Sequence, residues 1–327
     1  MENAGRYRML TQIGTEPDLV HWLAHDTETR RPLCAVQVEV GEGTGGAVTD
    51  ALAERCFTRS TALLSPMACA VARTVAVVRK GRSLCIVEER PPGCHLADFL
   101  SRHRPSGPEI AAIALALLGV LSDVHAKGFA WGYIAAQQVW VQADLSVVLS
   151  GSGVADLIAL GWVAQHPSRL RFAPELSPLT DAAPSADMWA LGNVMAGTLA
   201  GGPNPLPGRA TAGDVPSADL DRLLTGRARA FSPLIRGLLR RDTAIRLTEP
   251  IVRRALIRMS GRRPTAGYVP DDCAETARRP DAPVPLPPPP DYPPDSPPIA
   301  RARQDSRGGR HRLRSPLHPV LARLPHW

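Results

Sequence analysis

The sequence contains no pair of cysteines in the C-x-x-C spacing. Its six cysteines are scattered over 327 residues, at positions 34, 56, 69, 85, 94 and 273. Zinc sites and disulfide frameworks need closely spaced or paired cysteines, so neither is expected here. Scattered single cysteines are typical of reduced thiols, which predicts a cytoplasmic protein without a cysteine-bound metal.

No stretch has the pattern of a secretory signal or a membrane span. The opening residues, MENAGRYRMLTQIG, hold no basic start followed by an apolar run. The longest apolar stretch, IAAIALALLGVLSDV at 110–124, is interrupted by Ser122 and Asp123 and is too short to cross a bilayer comfortably. We therefore expect no transmembrane segment, and we interpret 110–124 as a buried helix.

Aromatic residues are also scarce, at 5% of the chain. No basic helix interleaved with aromatics precedes residue 262, so direct nucleic-acid recognition is not expected. Much of the net charge of +7 is assigned to the C-terminal segment, where seven arginines between 301 and 323 face only Asp305. On this view the folded part is closer to neutral.

Proline, in contrast, is abundant: the chain has 33, with a dense group in PVPLPPPPDYPPDSPP at 283–298. Beyond about residue 262 there is no helical or strand period, which predicts a disordered tail over 262–327. Its Pro-rich part can form a polyproline II helix that fits an SH3- or WW-like groove. Its Arg-rich part, 301–314, suits an acidic partner or an anionic membrane surface. The composition favours a plain solvated tail, and these two kinds of binding are the alternatives.

Apolar alternation predicts a small sheet in the first 90 residues. Five strand-like runs occur there, with a helix at 49–64 between the third and the fourth: YRMLTQI, LVHWLAHD, PLCAVQVEV, AVARTVAVVR and RSLCIVEE. After a break at 91–93, helical periodicity dominates. We predict an α+β protein of two lobes, a small five-strand N-lobe over 6–90 and a larger, mainly helical C-lobe over 91–261.

Eight local segments follow one another in the order known from an enzyme family. They are YRMLTQIG, CAVQV, LCIVEERPPGCHLADFL, HAKGFAWGYIAAQQVWV, SVVLSGSGVA, RFAPE, SADMWALGNVMAGTLAGGPNP and LLRRDTAIRLT. They resemble, in turn, the first strand, the V-A-I-K strand, the hinge, the catalytic loop, the D-F-G segment, A-P-E, the helix after it and a late arginine motif. The family is that of the eukaryotic-like Ser/Thr protein kinases of bacteria. The resemblance covers about residues 6–260 and implies one bilobal protein-kinase-like domain over 6–261.

The resemblance assigns the phosphate-binding positions to unsuitable residues. The three glycine positions of the phosphate loop fall on Gly14, Glu16 and Leu19, so only the first allows the backbone to approach an anion closely. The strand lysine falls on Gln37, which has no charge. Its partner on the following helix, a glutamate in the family, falls on Cys56.

The catalytic and metal-binding positions are replaced as well. The catalytic aspartate falls on Tyr133, and the two metal ligands fall on Gln138 and Gly151. Trp131 and Gly132 stand where the family has the preceding histidine and arginine. The resemblance therefore implies neither Mg²⁺ binding nor phosphoryl transfer. We interpret the rings of Trp131 and Tyr133 either as plugs of an empty cleft or as interface anchors.

The adenine end of the family's nucleotide site is altered too. With Glu88 as the gatekeeper, the hinge residue that would donate its N–H to adenine is Pro91, which has no N–H. A buried carboxylate at Glu88 also disfavours an apolar base pocket. Val20 and Ala35 match the residues that sandwich adenine, and both equally fit an ordinary sheet core.

The positions that keep the family's residues are structural ones. Glu175 and Arg246 match a buried ion pair that joins the activation segment to the large lobe. Asp187 matches the aspartate that accepts backbone hydrogen bonds from the catalytic loop. A buried charge that has lost its partner costs several kcal/mol, which is a physical reason to keep both members of a pair.

One principal hypothesis and two alternatives follow. The principal one is a pseudokinase, a kinase-like domain without catalytic residues that acts as a scaffold or regulatory module for a protein partner and binds neither ATP nor Mg²⁺. The first alternative is a divergent ATP-dependent Ser/Thr protein kinase with a rearranged site. Its candidate acids are Glu16, Asp18, Glu39, Asp144 and Asp156. The second alternative is an adaptor that acts mainly through its Pro-rich tail.

Overall fold

The computed structural model describes residues 3–16, 19–39, 46–64, 69–81, 83–159, 172–176, 181–200, 220 and 222–261. The contacts of the chain divide it after Arg279, and every described residue lies in the first part. The predicted tail, residues 262–327, is outside the described residues.

The N-lobe is a twisted antiparallel sheet with one helix. Its strands are β1 (Asn3–Ala4), β2 (Tyr7–Glu16), β3 (Leu19–Asp26), β4 (Pro32–Glu39), β5 (Thr74–Lys80) and β6 (Ser83–Glu89), in the order β1-β2-β3-β4-β6-β5. Five long strands agree with the sequence prediction, and the two-residue β1 adds a short edge. Gly81 has a φ of +58° in the turn between β5 and β6, which a residue with a side chain rarely adopts.

Helix α1 (Gly46–Leu64) packs against one face of this sheet. Leu52 and Cys56 are fully buried against Val36 of β4 and Ile86 of β6. The C-terminal end of α1 is held by Lys127, whose Nζ donates to the carbonyls of residues 62 and 63 at 3.0 and 2.9 Å. A cation at these last carbonyls stabilises the helix because it opposes the negative end of the helix dipole.

The C-lobe is mainly helical, as predicted. Its elements are α2 (Leu96–Arg102), α3 (Gly107–Ala126), α4 (Val154–Ala159), α5 (Pro184–Ala200), a 3-10 turn (Gly226–Phe231), α6 (Ser232–Leu238) and α7 (Glu249–Ser260). A small sheet is formed by β7 (Cys94–His95), directly before α2 in the chain, with β8 (Val139–Val141) and β9 (Val147–Leu149), which follow α3. The apolar faces of α3, α5, α6 and α7 form the main core.

Helix α3 is the centre of this lobe. A capping box begins it: Ser106 accepts from the backbone N–H of Glu109, and the Glu109 carboxylate accepts from Ser106. Within the described part of the chain, α3 alone has the length and composition to cross a membrane. Nine of its residues are buried in the core, which is the packing of a core helix and agrees with the interpretation of 110–124.

Candidate functional site

The segment 125–141, which resembles a catalytic loop, is held in place by Asp187. This carboxylate is completely buried at the start of α5. It accepts the backbone N–H groups of Trp131 at 2.8 Å and Gly132 at 2.5 Å, and its Oδ2 lies 2.7 Å from Nε2 of His125. Asp187 thus does what its motif implies, since it fixes the backbone of the loop.

The side chains of that loop point into the protein. Trp131 and Tyr133 are each 2% exposed. Trp131 belongs to the C-lobe core, while the ring of Tyr133 packs against Phe172 with centroids 5.1 Å apart. Interface anchors must be reachable from solvent, so the burial of both rings favours the interpretation that they fill space.

Gln138 and Gly151, the two positions that the resemblance assigns to metal ligands, are in direct contact. Gly151 has a φ of +81°, and a Cβ atom built on it would lie 2.2 Å from Nε2 of Gln138. Gln138 is fully buried, and its Oε1 accepts the backbone N–H of Ala135 at 2.9 Å. The amide of Gln138 therefore occupies the space that a side chain at position 151 would need.

Glu88 closes the inner end of the site from the other lobe. Its buried carboxylate accepts the backbone N–H groups of Gly151 and Ser152 and also the Ser152 hydroxyl, the last two at 2.8 Å. Thr74 Oγ1 lies 3.0 Å from Ser152 Oγ, so the segment after β9 is tied to both β5 and β6. Burial raises the pKa of Glu88 to about 7, although the three donors act in the opposite direction.

Replacing Glu88 with glutamine is expected to change how stability depends on pH. A raised pKa means that the folded state holds the proton more tightly than the unfolded state. The stabilisation from protonated Glu88 is therefore complete below the ordinary pKa of 4.5 and is lost as the pH rises through about 7. Between pH 5 and 8 the unfolding free energy of the wild type should fall by roughly 2–3 kcal/mol, and that of Glu88→Gln should not show this decrease. Urea unfolding at several pH values measures this.

Glu89→Gln is the matched control, because the Glu89 side chain is 42% exposed and pairs with Arg73. Its unfolding free energy should follow that of the wild type at each pH. Parallel pH curves for the wild type and Glu88→Gln would contradict the prediction.

The hinge after β6 offers no free backbone donor over residues 90–92. The N–H of Arg90 already donates to the carbonyl of Pro32, at 3.4 Å. Pro91, which is buried, and Pro92 have no N–H. A purine base that needs an N–H from this part of the hinge would find none there.

Three positions that the resemblance assigns to the nucleotide cleft lie on the face of the sheet that is opposite to α1. Val20 pairs with Gln37 across β3 and β4, and Ala35 pairs with Trp22. The Trp22 ring N–H donates to Gln37 Oε1 at 2.9 Å, so these four side chains share one face. This differs from the sequence assignment, which placed Val20, Ala35 and Gln37 in the cleft.

Glu88 belongs to the opposite face of the sheet. Cys34 of β4 is directly across from it, so the side of β4 that meets α1 and Tyr133 carries Cys34, Val36 and Val38. The reason for the difference is strand periodicity, since a shift of one residue moves every side chain to the other face. No cation is present on the cleft side of β4.

Gly14 lies close to the C-lobe. A Cβ atom built on Gly14 would be 2.5 Å from Cγ of Gln137, which is itself 6% exposed. The hairpin of β2 and β3 therefore contacts the loop segment directly. Residues 17 and 18 of this hairpin are outside the described residues.

A buried charge cluster that the motifs do not predict joins the two lobes. Asp156 of α4 is 2% exposed and accepts two hydrogen bonds from Arg59 of α1, at 2.6 and 2.8 Å. Arg55, one helical turn earlier, donates to Asp156 at 3.1 Å and also pairs with Asp181. The cluster lines a pocket of about 360 Å³ between α1 and α4.

The other proposed catalytic acids do not gather around Asp156. Glu39 is exposed and accepts the Ser83 hydroxyl at the end of β4, and Asp144 is exposed in the turn between β8 and β9. Glu16 ends β2, and Asp18 lies outside the described residues. Across the described ranges, no group of three or more His, Cys, Asp or Glu side chains is arranged to hold a metal.

Glu175 and Arg246 are in contact, as their motifs imply. Arg246 is 4% exposed and donates to both carboxylate oxygens of Glu175, to Oε2 at 2.9 Å. It also donates to the carbonyls of Ser185 at 2.7 Å and Arg240 at 2.8 Å. All three guanidinium nitrogens therefore have acceptors, which a buried arginine requires.

Comparison with solved structures gives a consistent answer on the fold. The PknI kinase domain of Mycobacterium tuberculosis superimposes with a TM-score of 0.55 at 17% identity, covering 79% of this chain and 98% of that domain. Two variants of the same domain match with TM-scores of 0.52 and 0.53, at 19% and 18% identity. They cover 78% and 80% of this chain, and 94% and 98% of those domains.

The chain has the protein kinase fold. Identities this low establish the fold alone. No protein-family model matches the sequence, and no curated protein matches it. In the kinase fold β2 to β6 and α1 form the N-lobe, and the cluster of Asp156 with Arg55 and Arg59 stands at the junction of that lobe with the segment after β9.

Proposed function

We propose that this kinase-fold domain is a pseudokinase, a scaffold or regulatory module for a protein partner that uses neither ATP nor Mg²⁺. The observation that carries the proposal is the contact of Gln138 with Gly151. At the two positions that hold metal ions in kinases, an uncharged amide fills the space beside a glycine, and no carboxylate is present. A metal cofactor of phosphoryl transfer needs oxygen ligands of high charge density, which these residues do not supply.

Three further features support the same conclusion. The buried carboxyl group of Glu88 occupies the inner end of the cleft, where it accepts the backbone N–H groups of Gly151 and Ser152. The hinge over 90–92 has no free N–H, and Gly14 lies against Gln137. Different residues block the phosphate, metal and base contacts, so restoring a single residue would not restore a nucleotide site.

A thermal unfolding experiment tests the proposal. A ligand that binds only the folded state must raise the melting temperature, by about 2–4 °C for a domain of this size when its concentration is ten times the dissociation constant. We expect a shift below about 1 °C with millimolar ATP and Mg²⁺, measured on the full chain, and the same result with ATP and EDTA.

A saturable stabilisation by ATP would overturn the proposal. Transfer of radiolabelled phosphate to the protein itself or to a generic substrate would instead support the divergent kinase. Both measurements use the intact chain, so they do not depend on how the residues after 261 contribute.

A further inference from the structure

The outer face of α7 is exposed and carries both apolar and basic side chains. Ile251 and Ile257 are 44% and 54% exposed, and Arg254 and Arg258 on the same helix are exposed as well. Because successive helix residues are 100° apart, these four lie within one side of α7. The opposite side packs into the C-lobe core, where Val252 is fully buried.

This end of the domain is strongly positive. Residues 222–261 contain ten arginines and two acids, Asp242 and Glu249. Glu249 is engaged by Arg253 and Ser122. In the described ranges of the chain, neither Arg254 nor Arg258 forms an ion pair. The positive charge is thus concentrated at this end of the domain.

An occupant of this face should be acidic and partly apolar, and a segment with both properties follows α7 in the chain. Tyr268–Glu275, YVPDDCAE, has three acids within five residues, Asp271, Asp272 and Glu275, and no basic residue. It also offers the apolar side chains of Tyr268 and Val269. The segment lies outside the described residues.

We propose that Tyr268–Glu275 docks on the exposed face of α7, with its carboxylates on Arg254 and Arg258. The lengths allow it: α7 is 12 residues long, about 18 Å, and the ten Cα–Cα steps from Gly261 to Asp271 can extend over about 33 Å. Because the segment is tethered to α7, its effective concentration at the face is on the order of millimolar. Ion pairs on an exposed face are weak singly, and the tether compensates for that.

Cysteine cross-linking in the full chain tests the docking. The segment contains Cys273, whereas the other five cysteines are buried in the described part of the chain. In Ile251→Cys and Ile257→Cys, mild oxidation should form an intramolecular disulfide with Cys273, identified by peptide mass spectrometry. Phe57→Cys is the control, since Phe57 is 41% exposed on α1, in the other lobe. We expect a rate at least about ten times that of the control at one of the two α7 positions.

Charge reversal distinguishes docking from chance collision. Adding Arg254→Glu and Arg258→Glu should reduce the disulfide rate to that of the control. Lysines at positions 271, 272 and 275 in the same chain should restore it. All the reversed positions on α7 are exposed, and a circular dichroism spectrum checks that each variant is folded.

Other results would overturn the inference. Equal rates at positions 57, 251 and 257 would mean that the segment does not dock. Covalent dimers linked through position 251 or 257 would identify a second copy of the chain as the occupant. A disulfide rate that the charge reversals do not change would show that ion pairs with Arg254 and Arg258 do not hold the segment on α7.

Discussion

Replacing Gly151 with aspartate, which would restore the family's residue at one metal position, is expected to destabilise the domain by about 3–5 kcal/mol. The φ of +81° at Gly151 costs any residue with a side chain about 1–2 kcal/mol. The new Cβ would also lie 2.2 Å from Nε2 of Gln138. Gln138 is fully buried and holds the N–H of Ala135, so it has little room to move away.

The charge of the new side chain adds to this cost. Glu88 already accepts the N–H of Gly151, so a second carboxylate would stand beside the first in a buried place. For the same reason the variant should not gain a thermal shift with ATP and Mg²⁺. The expected result is a less stable protein and no nucleotide site.

Urea unfolding of Gly151→Asp and Gly81→Asp measures the effect with a matched control. Gly81 also has a positive φ, +58°, but a Cβ there would meet no atom within 4 Å. Gly81→Asp should therefore cost only the backbone term, about 1 kcal/mol. Equal losses in the two variants, or a Mg²⁺-dependent ATP shift in the first, would show that Gln138 does not block position 151.

Asp156→Ala should lower the unfolding free energy by about 3–5 kcal/mol, because it leaves Arg59 buried without its partner. Arg59 is 8% exposed, and its two hydrogen bonds to Asp156 tie α1 to the segment after β9. Removing them should also increase hydrogen exchange in α1, whose remaining contact with that segment includes a weak bond of 3.9 Å from Cys56 Sγ to the Ser152 carbonyl.

Asp181→Ala is the control for this experiment. Asp181 also pairs with Arg55, but its side chain is 75% exposed, so its loss should cost less than about 1 kcal/mol. The double variant Arg59→Ala, Asp156→Ala should lose less than the sum of the two single variants, since each single change already breaks the pair. Additive losses, or a cost for Asp156→Ala no larger than that for Asp181→Ala, would contradict the role we assign to the cluster.

Much of the fold follows from local sequence patterns. Alternation in LVHWLAHD and PLCAVQVEV corresponds to β3 and β4, and the apolar period of 110–124 corresponds to α3. The contact of Glu175 with Arg246 and the hydrogen bonds to Asp187 also correspond to motifs at fixed places in the chain. These features can be predicted because each depends on a residue type and a spacing that are visible in the sequence.

Other features of the site depend on which elements meet. The pairing of Cys34 with Glu88 decides that Gln37 points away from the cleft, and nothing in CAVQV reveals this. Asp156 and Arg59 are 97 residues apart, and neither lies in a family motif, so their pairing could not be anticipated. The spacing of Arg55 and Arg59, four residues apart on one helix face, is the one signal that sequence reasoning could have used.

The order of the elements, the two lobes and the uncharged residues at positions 133, 138 and 151 follow from the sequence alone. Those properties depend on residue type and period along a single strand or helix. Only the tertiary structure decided how the empty positions are filled: Gln138 beside Gly151, the carboxylate of Glu88 on the segment after β9, and Asp156 between two arginines of α1. Such contacts depend on the packing of segments that are distant in the chain. Strand register and the fit of buried side chains determine which residues become neighbours, and the order of residues along the chain does not show this.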